Sequence, residues 1–365
     1  MLLIGSSASP RTALLRAALS CHGGRLDVIE WRDLAGGQDA VDGLLTAPLL
    51  ARHVWCKLDS PGEDAATTQA LIQRGWFLSE TNDAAPSSLR HGELAYEHWR
   101  FAGFADLLTR VQTRLGGLRL LNNVSDILLM CDKLACQQHL RGRGVTVPEL
   151  LGEIQSFDDL EERFPATQHA AVFIKSRYGS SAAGVLALRR HRDGRMVAYS
   201  SARMDSEGTI YNHLRVSRYE CRAEIAALVD ALALQGAYAE RWSSKPRAPV
   251  EQGASYDLRV VAHCGRPRQR IARISRSPMS NLHLGNRRSA PHWLSADEID
   301  ALEKATATAA GLFEHSHCIG FDINLRGSDA IVFEANAFGD LLPGLKFDGA
   351  TTYEDQAALV SADER

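Results

Sequence analysis

Hydrophobic positions in the first 120 residues alternate between short apolar runs and stretches with helical spacing. Leu2–Ile4 and Leu26–Trp31 have the pattern of strands, and Arg11–Leu19 between them has the pattern of a helix. Apolar residues from Leu94 to Val111 recur at helical intervals and predict a further helix. Alternating strands and helices are typical of an open α/β domain with a mostly parallel sheet. We therefore expect such a domain over residues 1–121.

The pattern changes after about Asn122, where strands become grouped and helices fewer. One helix is predicted over Ser125–Leu140, one over Glu220–Leu234, and one from the capping box at Ser295 to about Phe313. The predicted strands are Ala171–Lys175, Val185–Leu188, Met196–Tyr199, Ile210–Val216, Tyr238–Trp242, Leu258–His263, Arg268–Ser275, Ile319–Leu325 and Ala330–Glu334. Grouped strands favour α+β subdomains with antiparallel sheet.

Composition narrows the class of protein. The chain has 365 residues, which agrees with two or three packed units, and its net charge of -3 speaks against nucleic acid as the main partner. Its seven cysteines are scattered and form no CxxC pair, so a disulfide framework or structural zinc site is not expected. No apolar run is long enough for a signal peptide or a membrane span. We expect a cytoplasmic protein with no membrane partner.

Three oxygen donors near the C-terminal end form the strongest chemical signal. Asp322 precedes Glu334 by twelve positions, and Asn336 follows Glu334 by two. Residues two apart on a strand share a face, so Glu334 and Asn336 point the same way. Carboxylates and an amide oxygen are the hard ligands that suit Mg²⁺. A solvated hairpin with ordinary polar alternation explains the spacing equally well.

A second signal is a strand that ends in Lys175 and is followed by the small-residue segment Gly179–Gly184. Glycines let backbone N–H groups approach oxyanions, and lysine supplies charge, so this segment could cover a phosphate. It is not a Walker A loop, because GxxxxGK[ST] is absent. A hairpin with a flexible turn is the structural alternative, and Lys133 taken alone reads as a solvated surface lysine.

His315, His317 and Cys318 could bind a transition metal, but a packed turn is favoured.

In their joint order, these motifs resemble the ATP-grasp superfamily. The order is Lys133, Lys175, the Gly/Ser loop, Glu240, Asp257-Leu-Arg259, Arg273, Ser280-Asn281-Leu282-His283, and then Asp322, Glu334 and Asn336. The closest likeness is to the alpha-L-glutamate ligase branch. The resemblance covers about Asn122 to Gly344. It implies an N-terminal open α/β (pre-ATP-grasp) domain over 1–121 and a two-subdomain ATP-grasp fold. The lid subdomain would span 122–240 and the catalytic subdomain 241–350, followed by a polar tail over 351–365 that we expect to fray.

The resemblance also implies roles for individual residues. Lys133 and Lys175 would contact ATP phosphates, and Glu240 and Trp242 would offer backbone groups to adenine. The implied ATP-binding set is Lys133, Lys175, Gly179, Ser180, Ser181, Gly184, Glu240, Arg241, Trp242, Lys245 and Asp257. The implied catalytic set is Arg273, Arg259 and Asn281, with Arg273 stabilising the transferring phosphoryl group. Asp322, Glu334 and Asn336 would hold Mg²⁺, with Mn²⁺ as an alternative.

The sequence departs from the family pattern in two places. Ala183 stands where many relatives have a basic residue, and a segment with two prolines separates Glu240 from Asp257. The ribose contact is therefore open between Lys245 and Glu251. Substrate contacts are expected from the Ser60–Glu63 loop and the Arg276–Arg288 segment.

The function implied by the resemblance is an ATP- and Mg²⁺-dependent ligase. It would activate a carboxylate as an acyl phosphate and join it to an amine on a small molecule or peptide. The alternatives are a ligase that forms amides or esters on a ribosomally made precursor peptide, and a non-catalytic ATP-binding protein. A homodimer is also expected.

Overall fold

A computed structural model describes residues 1–37, 39–62, 64–80, 84–164, 170–180, 183–338 and 341–362. Ser181 of the predicted loop and Glu63 of the Ser60–Glu63 loop lie outside these residues. In the described part of the chain, no helix is long and apolar enough to cross a membrane.

The N-terminal unit is an open sheet of four parallel strands in the order β2-β1-β3-β4, as the alternating pattern predicts. Its strands are β1 (Leu2–Gly5), β2 (Asp27–Glu30), β3 (Trp55–Leu58) and β4 (Arg119–Leu120). Its helices are α1 (Pro10–Cys21), α2 (Trp31–Ala35), α3 (Ala40–Leu44), α4 (Ala47–Leu50), α5 (Ala65–Leu78) and α6 (Glu97–Leu115). β1 and β3 are fully buried. Buried parallel strands need helices on both faces, which this unit supplies.

Two glycines set the packing of α5 against α6. A methyl group on Gly75 would lie 1.8 Å from the carbonyl oxygen of Trp99, and one on Gly103 would lie 2.0 Å from that of Leu71. Both distances are far below van der Waals contact, so only glycine allows the two helix backbones to meet this closely.

The helix predicted over Ser125–Leu140 is two helices, α7 (Val124–Cys131) and α8 (Lys133–Gly142), and the prediction of one helix is wrong. Asp132 separates them, because it has an extended backbone and its side chain caps α8 by accepting from the Ala135 N–H. Met130, Cys136 and Leu140 pack in the hydrophobic core of the C-terminal sheet described below. The domain bounds expected from the sequence, with a lid subdomain over 122–240, place these helices with the lid, whereas these three residues pack with the C-terminal sheet.

The middle unit is a sheet of six antiparallel strands in the order β5-β10-β6-β7-β8-β9. It comprises β5 (Leu150–Glu153), α9 (Phe157–Glu162), β6 (Ala170–Ser176), β7 (Val185–Arg190), β8 (Met196–Met204), β9 (Ile210–Tyr219), α10 (Arg222–Ala233) and β10 (Ala237–Arg241). Residues of β6 alternate between buried and half-buried. Val172 and Ile174 pack in the core of this unit, so Phe173 and Lys175 lie on the opposite face.

The C-terminal unit is a sheet of five antiparallel strands in the order β13-β12-β11-β14-β15. It comprises β11 (Ser255–His263), β12 (Arg266–Ser275), β13 (Arg287–Ser289), α11 (Ala296–Ala310), β14 (Cys318–Arg326) and β15 (Asp329–Asn336), and a short hairpin of β16 (Lys346–Phe347) and β17 (Ala350–Thr351) follows. The predicted capping box at Ser295 is present and starts α11. One face of the sheet packs on α11 through residues such as Leu258, Val260 and Ile274. The other face carries Asp257 and Arg259.

The expectation that the tail frays is wrong over most of its length. Thr352–Ala362 forms a helix, α12, that contacts both α1 and β11. Tyr353, Ala357 and Val360 are buried in one core with residues of the N-terminal sheet and of the C-terminal sheet. Apolar residues three and four apart thus bury one side of a segment whose composition is polar.

The α5–α6 contact gives a direct test of the N-terminal packing. Gly75→Ala or Gly103→Ala should lower the free energy of unfolding by about 3 kcal/mol, the upper end of the usual cost of overpacking, because a backbone oxygen cannot move aside as a flexible side chain can. Gly43→Ala is the matched control, since Gly43 lies in α3 with open space around its Cα. That variant should be neutral or slightly stabilising. Thermal and urea denaturation would check this, and equal midpoints for Gly75→Ala and Gly43→Ala would contradict the packing.

Candidate functional site

A cavity of about 1030 Å³ is lined by residues from both antiparallel sheets and from the N-terminal unit. Its volume lies at the upper end of the range of roughly 300–1000 Å³ that is usual for ligand sites. Phe173 and Lys175 reach it from β6, Asp257 from β11, and Phe101 and Phe104 from α6. The cavity is therefore large enough for a nucleotide together with a second molecule.

The lining carries more positive than negative charge. Among the described residues, the basic groups are Arg11, Arg100, Lys133, Lys175, Lys245, Arg259, Arg273 and Arg288. The carboxylates are Glu240, Asp257, Asp322 and Glu334. Such an excess of cationic groups favours a polyanionic ligand.

Strand register brings the predicted charged residues of the C-terminal sheet onto one face, in two neighbouring rows. Asp257 pairs with Arg273 in one row, and Asp322 pairs with both Arg259 and Glu334 in the next. Directly opposed residues in antiparallel strands place their side chains on the same face. The two rows together span four strands on the face that lines the cavity, and the sequence could not reveal them without this register.

Arg273 lies between two buried carboxylates. Its Nε donates to Asp257 Oδ1 over 2.8 Å, and its Nη2 lies 3.0 Å from Asp322 Oδ2. Burial alone would raise the pKa of Asp257, but Arg273 and Lys245 hold that pKa well below its usual range. Burial would also lower the pKa of Arg273, and the two carboxylates reverse this and raise it. Asp257 and Arg273 are therefore both charged at neutral pH.

Lys245 is held on the same carboxylate. Its Nζ lies 2.9 Å from Asp257 Oδ2 and donates to Ser280 Oγ over 2.6 Å. Burial lowers the pKa of Lys245, although Asp257 opposes this. Glu251, the other ribose candidate, is not part of the cavity lining, and it pairs with Arg276 at 3.0 Å and Arg287 at 3.1 Å. Of the two ribose candidates, only Lys245 can reach a ligand in the cavity.

The two predicted phosphate-binding lysines both face the cavity. Lys133 donates to Glu334, and Lys175 Nζ lies 2.6 Å from Glu240 Oε1. Burial alone would lower the pKa of Lys133 and raise that of Glu334, yet their attraction reverses both shifts. The reading of Lys133 as a solvated surface lysine is thus wrong, since its side chain is only 15% exposed.

A contact that the sequence did not predict joins the elements that carry these lysines. Arg177 follows β6, and its guanidinium donates twice to Asp132, each time over 2.7 Å. The backbone N–H of Lys133 donates to the Arg177 carbonyl over 3.0 Å. Two parallel bonds from a planar guanidinium fix orientation as well as distance. The start of α8 and the end of β6 are therefore tied together, with Lys133 and Lys175 beside them.

The amide of Asn336 lies between a carboxylate and a guanidinium. One amide atom is 3.1 Å from Glu334 Oε1 and the other is 2.8 Å from Arg259 Nη1. With the nitrogen toward Glu334, both hydrogen bonds form. With the oxygen toward Glu334, two oxygen donors converge on one point, as a metal ion requires.

The predicted metal ligands fit Mg²⁺ by their chemistry and their position. Asp322, Glu334 and Asn336 offer two carboxylates and an amide oxygen on one face, at a cavity that would also admit phosphate oxygens. No group of three or more His, Cys, Asp or Glu side chains with metal-binding geometry occurs in the described part of the chain, and this includes His315 to Cys318. Any cation at Asp322 would therefore share its ligand shell with an amide and with oxygens from outside the chain.

Some predicted residues do not reach the cavity. Gly184, Arg241 and Trp242 are absent from the described lining. The Trp242 N–H donates to the Ala171 carbonyl over 2.8 Å, so it is not available to adenine as predicted. Arg241 pairs with Glu149 at 2.9 Å. Gly179 and Ser180 line the cavity, as does Asn281.

Other lining residues escaped sequence reasoning. Arg11 lies 3.4 Å from Asp59, and Arg100 lies 2.6 Å from Glu97 and donates to the Tyr178 carbonyl over 2.8 Å. Of the Arg276–Arg288 segment, Arg288 lines the cavity while Arg276 and Arg287 do not. No local motif marks Arg11 or Arg100, because each depends on contacts between distant parts of the chain, whereas Arg288 belongs to a segment from which substrate contacts are expected.

No protein-family model matches the chain, and no curated protein matches it by sequence. Similar solved structures include the D-cycloserine synthetase DcsG, at 16% identity, covering 100% of this chain and 99% of that chain with a TM-score of 0.56. The ATP-grasp ligase PsnB, complexed with minimal precursor, Mg and ADP, has 15% identity, covers 100% of this chain and 98% of that chain, and gives a TM-score of 0.56. The macrocyclase MdnC from Microcystis aeruginosa MRC, bound with precursor peptide MdnA, has 12% identity, 99% coverage of both chains and a TM-score of 0.54. The chain has the ATP-grasp fold, as the motif order implied.

The Lys133–Glu334 pair predicts a pH dependence of stability. Because the folded protein lowers the pKa of Glu334, its stabilising contribution is present above the unfolded pKa of about 4.3 and is lost as pH falls through the folded pKa. Glu334→Gln should lower the free energy of unfolding by about 1–3 kcal/mol at pH 7, since it leaves Lys133 buried without a counter-ion.

The difference in the free energy of unfolding between Glu334→Gln and the unaltered protein should shrink towards pH 3. Urea titrations between pH 3 and pH 7 would measure it. Glu149→Gln is the control, because the Glu149 side chain is 63% exposed and should show no such trend. A constant difference between Glu334→Gln and the unaltered protein at every pH would contradict the pairing.

Proposed function

We propose that this protein is an ATP- and Mg²⁺-dependent ligase that joins a carboxylate to an amine through an acyl phosphate. The observation that carries the proposal is the set of charged residues Glu334, Asp322, Arg259, Arg273 and Asp257, in two neighbouring rows on one wall of a cavity. Phosphoryl transfer needs little covalent help from a protein and depends on positioning and on neutralising charge. These residues, with Lys133 and Lys175, would supply both.

Lys133 and Lys175 would bind the phosphates of ATP. Both are paired with carboxylates. Phosphate oxygens would compete for the same ammonium groups. The link between Asp132 and Arg177 keeps the two lysine-bearing elements together.

Asp322, Glu334 and Asn336 would hold Mg²⁺, which would draw phosphate oxygens to this wall and offset their negative charge. Asn336 can turn its amide oxygen towards Glu334 for that purpose. Arg259 and Arg273 flank Asp322, so their guanidinium groups border the same phosphates. Asn281 also lies in the cavity lining and is a further candidate.

The reaction would proceed in two displacements. A substrate carboxylate oxygen attacks the γ-phosphorus, the bond between γ-phosphorus and the bridging oxygen breaks, and ADP leaves. The amine then attacks the acyl carbon, and phosphate leaves as the amide forms. A cysteine nucleophile is not needed and is disfavoured, because burial raises the pKa of the cavity-lining Cys131 to about 11.

The similar structures support this class of reaction and leave both kinds of substrate open. DcsG is named a synthetase, PsnB was solved with Mg and ADP, and MdnC was solved with a precursor peptide. A small molecule and a peptide are both candidates for the substrates of this protein. The branch, the cytoplasmic location and the homodimer stay predictions from the sequence.

The proposed function has a direct test. Mg²⁺ with a non-hydrolysable ATP analogue should raise the melting temperature, and Mg²⁺·ATP should release ADP when carboxylates and amines are added. Glu334→Gln should remove at least about 99% of ADP release, because it takes a charged ligand from the metal. Its melt would confirm that the variant is folded. Stabilisation without ADP release by the unaltered protein would favour the non-catalytic alternative.

Arg273→Lys separates transition-state stabilisation from binding. Lysine keeps a charge between Asp257 and Asp322 but cannot hold two oxygens at once as a planar guanidinium does. We expect kcat to fall by roughly 10²–10³ with little change in the KM for ATP. Arg270→Lys is the matched control, since Arg270 lies on the same strand but pairs with Glu303 of α11. A large rise in KM with kcat preserved would assign Arg273 to ground-state binding.

A further inference from the structure

Arg288 differs from every other basic residue of the described cavity lining. Arg11, Arg100, Lys133, Lys175, Lys245, Arg259 and Arg273 each form an ion pair with a carboxylate. Among the described residues, Arg288 has neither an ion pair nor a hydrogen bond from its side chain. It is also exposed, so its guanidinium is open to whatever enters the cavity.

The place of Arg288 in the sheet makes this lack of a partner informative. Arg288 lies directly opposite Arg273 in the β12–β13 pairing. Like charges in opposed positions destabilise a sheet unless something compensates them. Asp257 and Asp322 compensate Arg273, which leaves the charge on Arg288 unbalanced.

The two residues that precede Arg288 both have partners for their side chains. Arg287 belongs to the same strand and therefore points to the opposite face, where it pairs with Glu251 at 3.1 Å. The Asn286 side chain donates to the carbonyls of Met279 and Asn281, which closes the loop that precedes the strand. Hydrogen bonds within this loop therefore fix the start of the strand that carries Arg288.

We infer that the carboxylate substrate has a second carboxylate, which Arg288 binds while the first is phosphorylated. This inference rests on the proposed function. Neighbouring strands are about 4.8 Å apart, so Arg288 lies one strand beyond Arg273 and three strands beyond Asp322, which the metal would occupy. An anion on Arg288 is therefore distinct from one held at Asp322.

A carboxylate suits this residue better than a phosphate does. One guanidinium balances the single charge of a carboxylate and can hold both of its oxygens. A phosphate monoester carries about 1.5 to 2 negative charges at neutral pH, and Arg288 alone would leave part of that charge unbalanced. The substrate class is thus a dicarboxylic acid, an acidic amino acid, or a peptide with a free carboxylate close to the reacting one.

Hydroxylamine allows the test to be made without knowing the natural amine. It attacks an acyl phosphate at the acyl carbon, releases phosphate, and leaves a hydroxamate that can be quantified. The panel would contain matched pairs incubated with Mg²⁺·ATP: succinate with succinamate, L-glutamate with L-glutamine and isoglutamine, and peptides ending in aspartate with their C-terminal amides.

We expect hydroxamate from members with two carboxylates, and a kcat/KM lower by about 10- to 100-fold for their monoamides, because a charged hydrogen-bond partner is lost. Arg288→Gln should lower kcat/KM for the dicarboxylate to the value for its monoamide, and it should leave kcat/KM for the monoamide unchanged. Arg287→Gln removes the same charge from the same strand outside the cavity, and it should behave as the unaltered protein does.

Three outcomes would overturn the inference. The first is equal use of dicarboxylates and monoamides by the unaltered protein. The second is an equal loss on both substrates in Arg288→Gln, which would place Arg288 at the transferring phosphoryl group. The third is hydroxamate from the monoamides alone and from none of the dicarboxylates. Failure of the proposed function is distinguishable, because then no member of the panel, with one carboxylate or two, would give hydroxamate or release ADP, whether or not the nucleotide stabilises the protein.

Discussion

The placement of Arg273 between Asp257 and Asp322 is the contact on which the rest of the site depends. Two carboxylates and a guanidinium are buried together on three adjacent strands, and removing any one would upset the charge balance of a buried cluster. A buried ion cluster of this kind is weak evidence that the contact stabilises the fold, because well-packed apolar residues in its place usually give equal stability. Its value lies in geometry, because it fixes the spacing of the groups that we propose to border a phosphate.

Much of the fold could be predicted because it follows from local pattern. The alternating strands and helices of the first 120 residues, the capping box at Ser295 and the hairpin carrying Asp322 and Glu334 all appear where the sequence places them. The motif order also indicated the fold, because order along the chain survives when sequence identity to similar structures falls to 16% or less. Each of these features depends only on residues that are close in sequence or on the order of motifs along the chain.

The parts that could not be predicted depend on contacts across long stretches of chain. The break at Asp132 reflects a pairing with Arg177, and periodicity alone continues a helix through that position. Trp242 has the right place in the order to contact adenine, yet its N–H is used by Ala171 on the neighbouring strand. Arg288 ends a segment that is expected to contact substrate, but only the strand register singles it out by putting it opposite Arg273.

The burial of α12 has a consequence for biosynthesis. Ribosomes release a chain from its N-terminal end first, but here Leu3 and Leu15 share one core with Tyr353 and Val360. The first strand and helix therefore emerge long before the side chains that cover them have been made. Co-translational folding can complete the other face of the N-terminal sheet, while this face must wait until the residues of α12, more than 300 positions later, have been made.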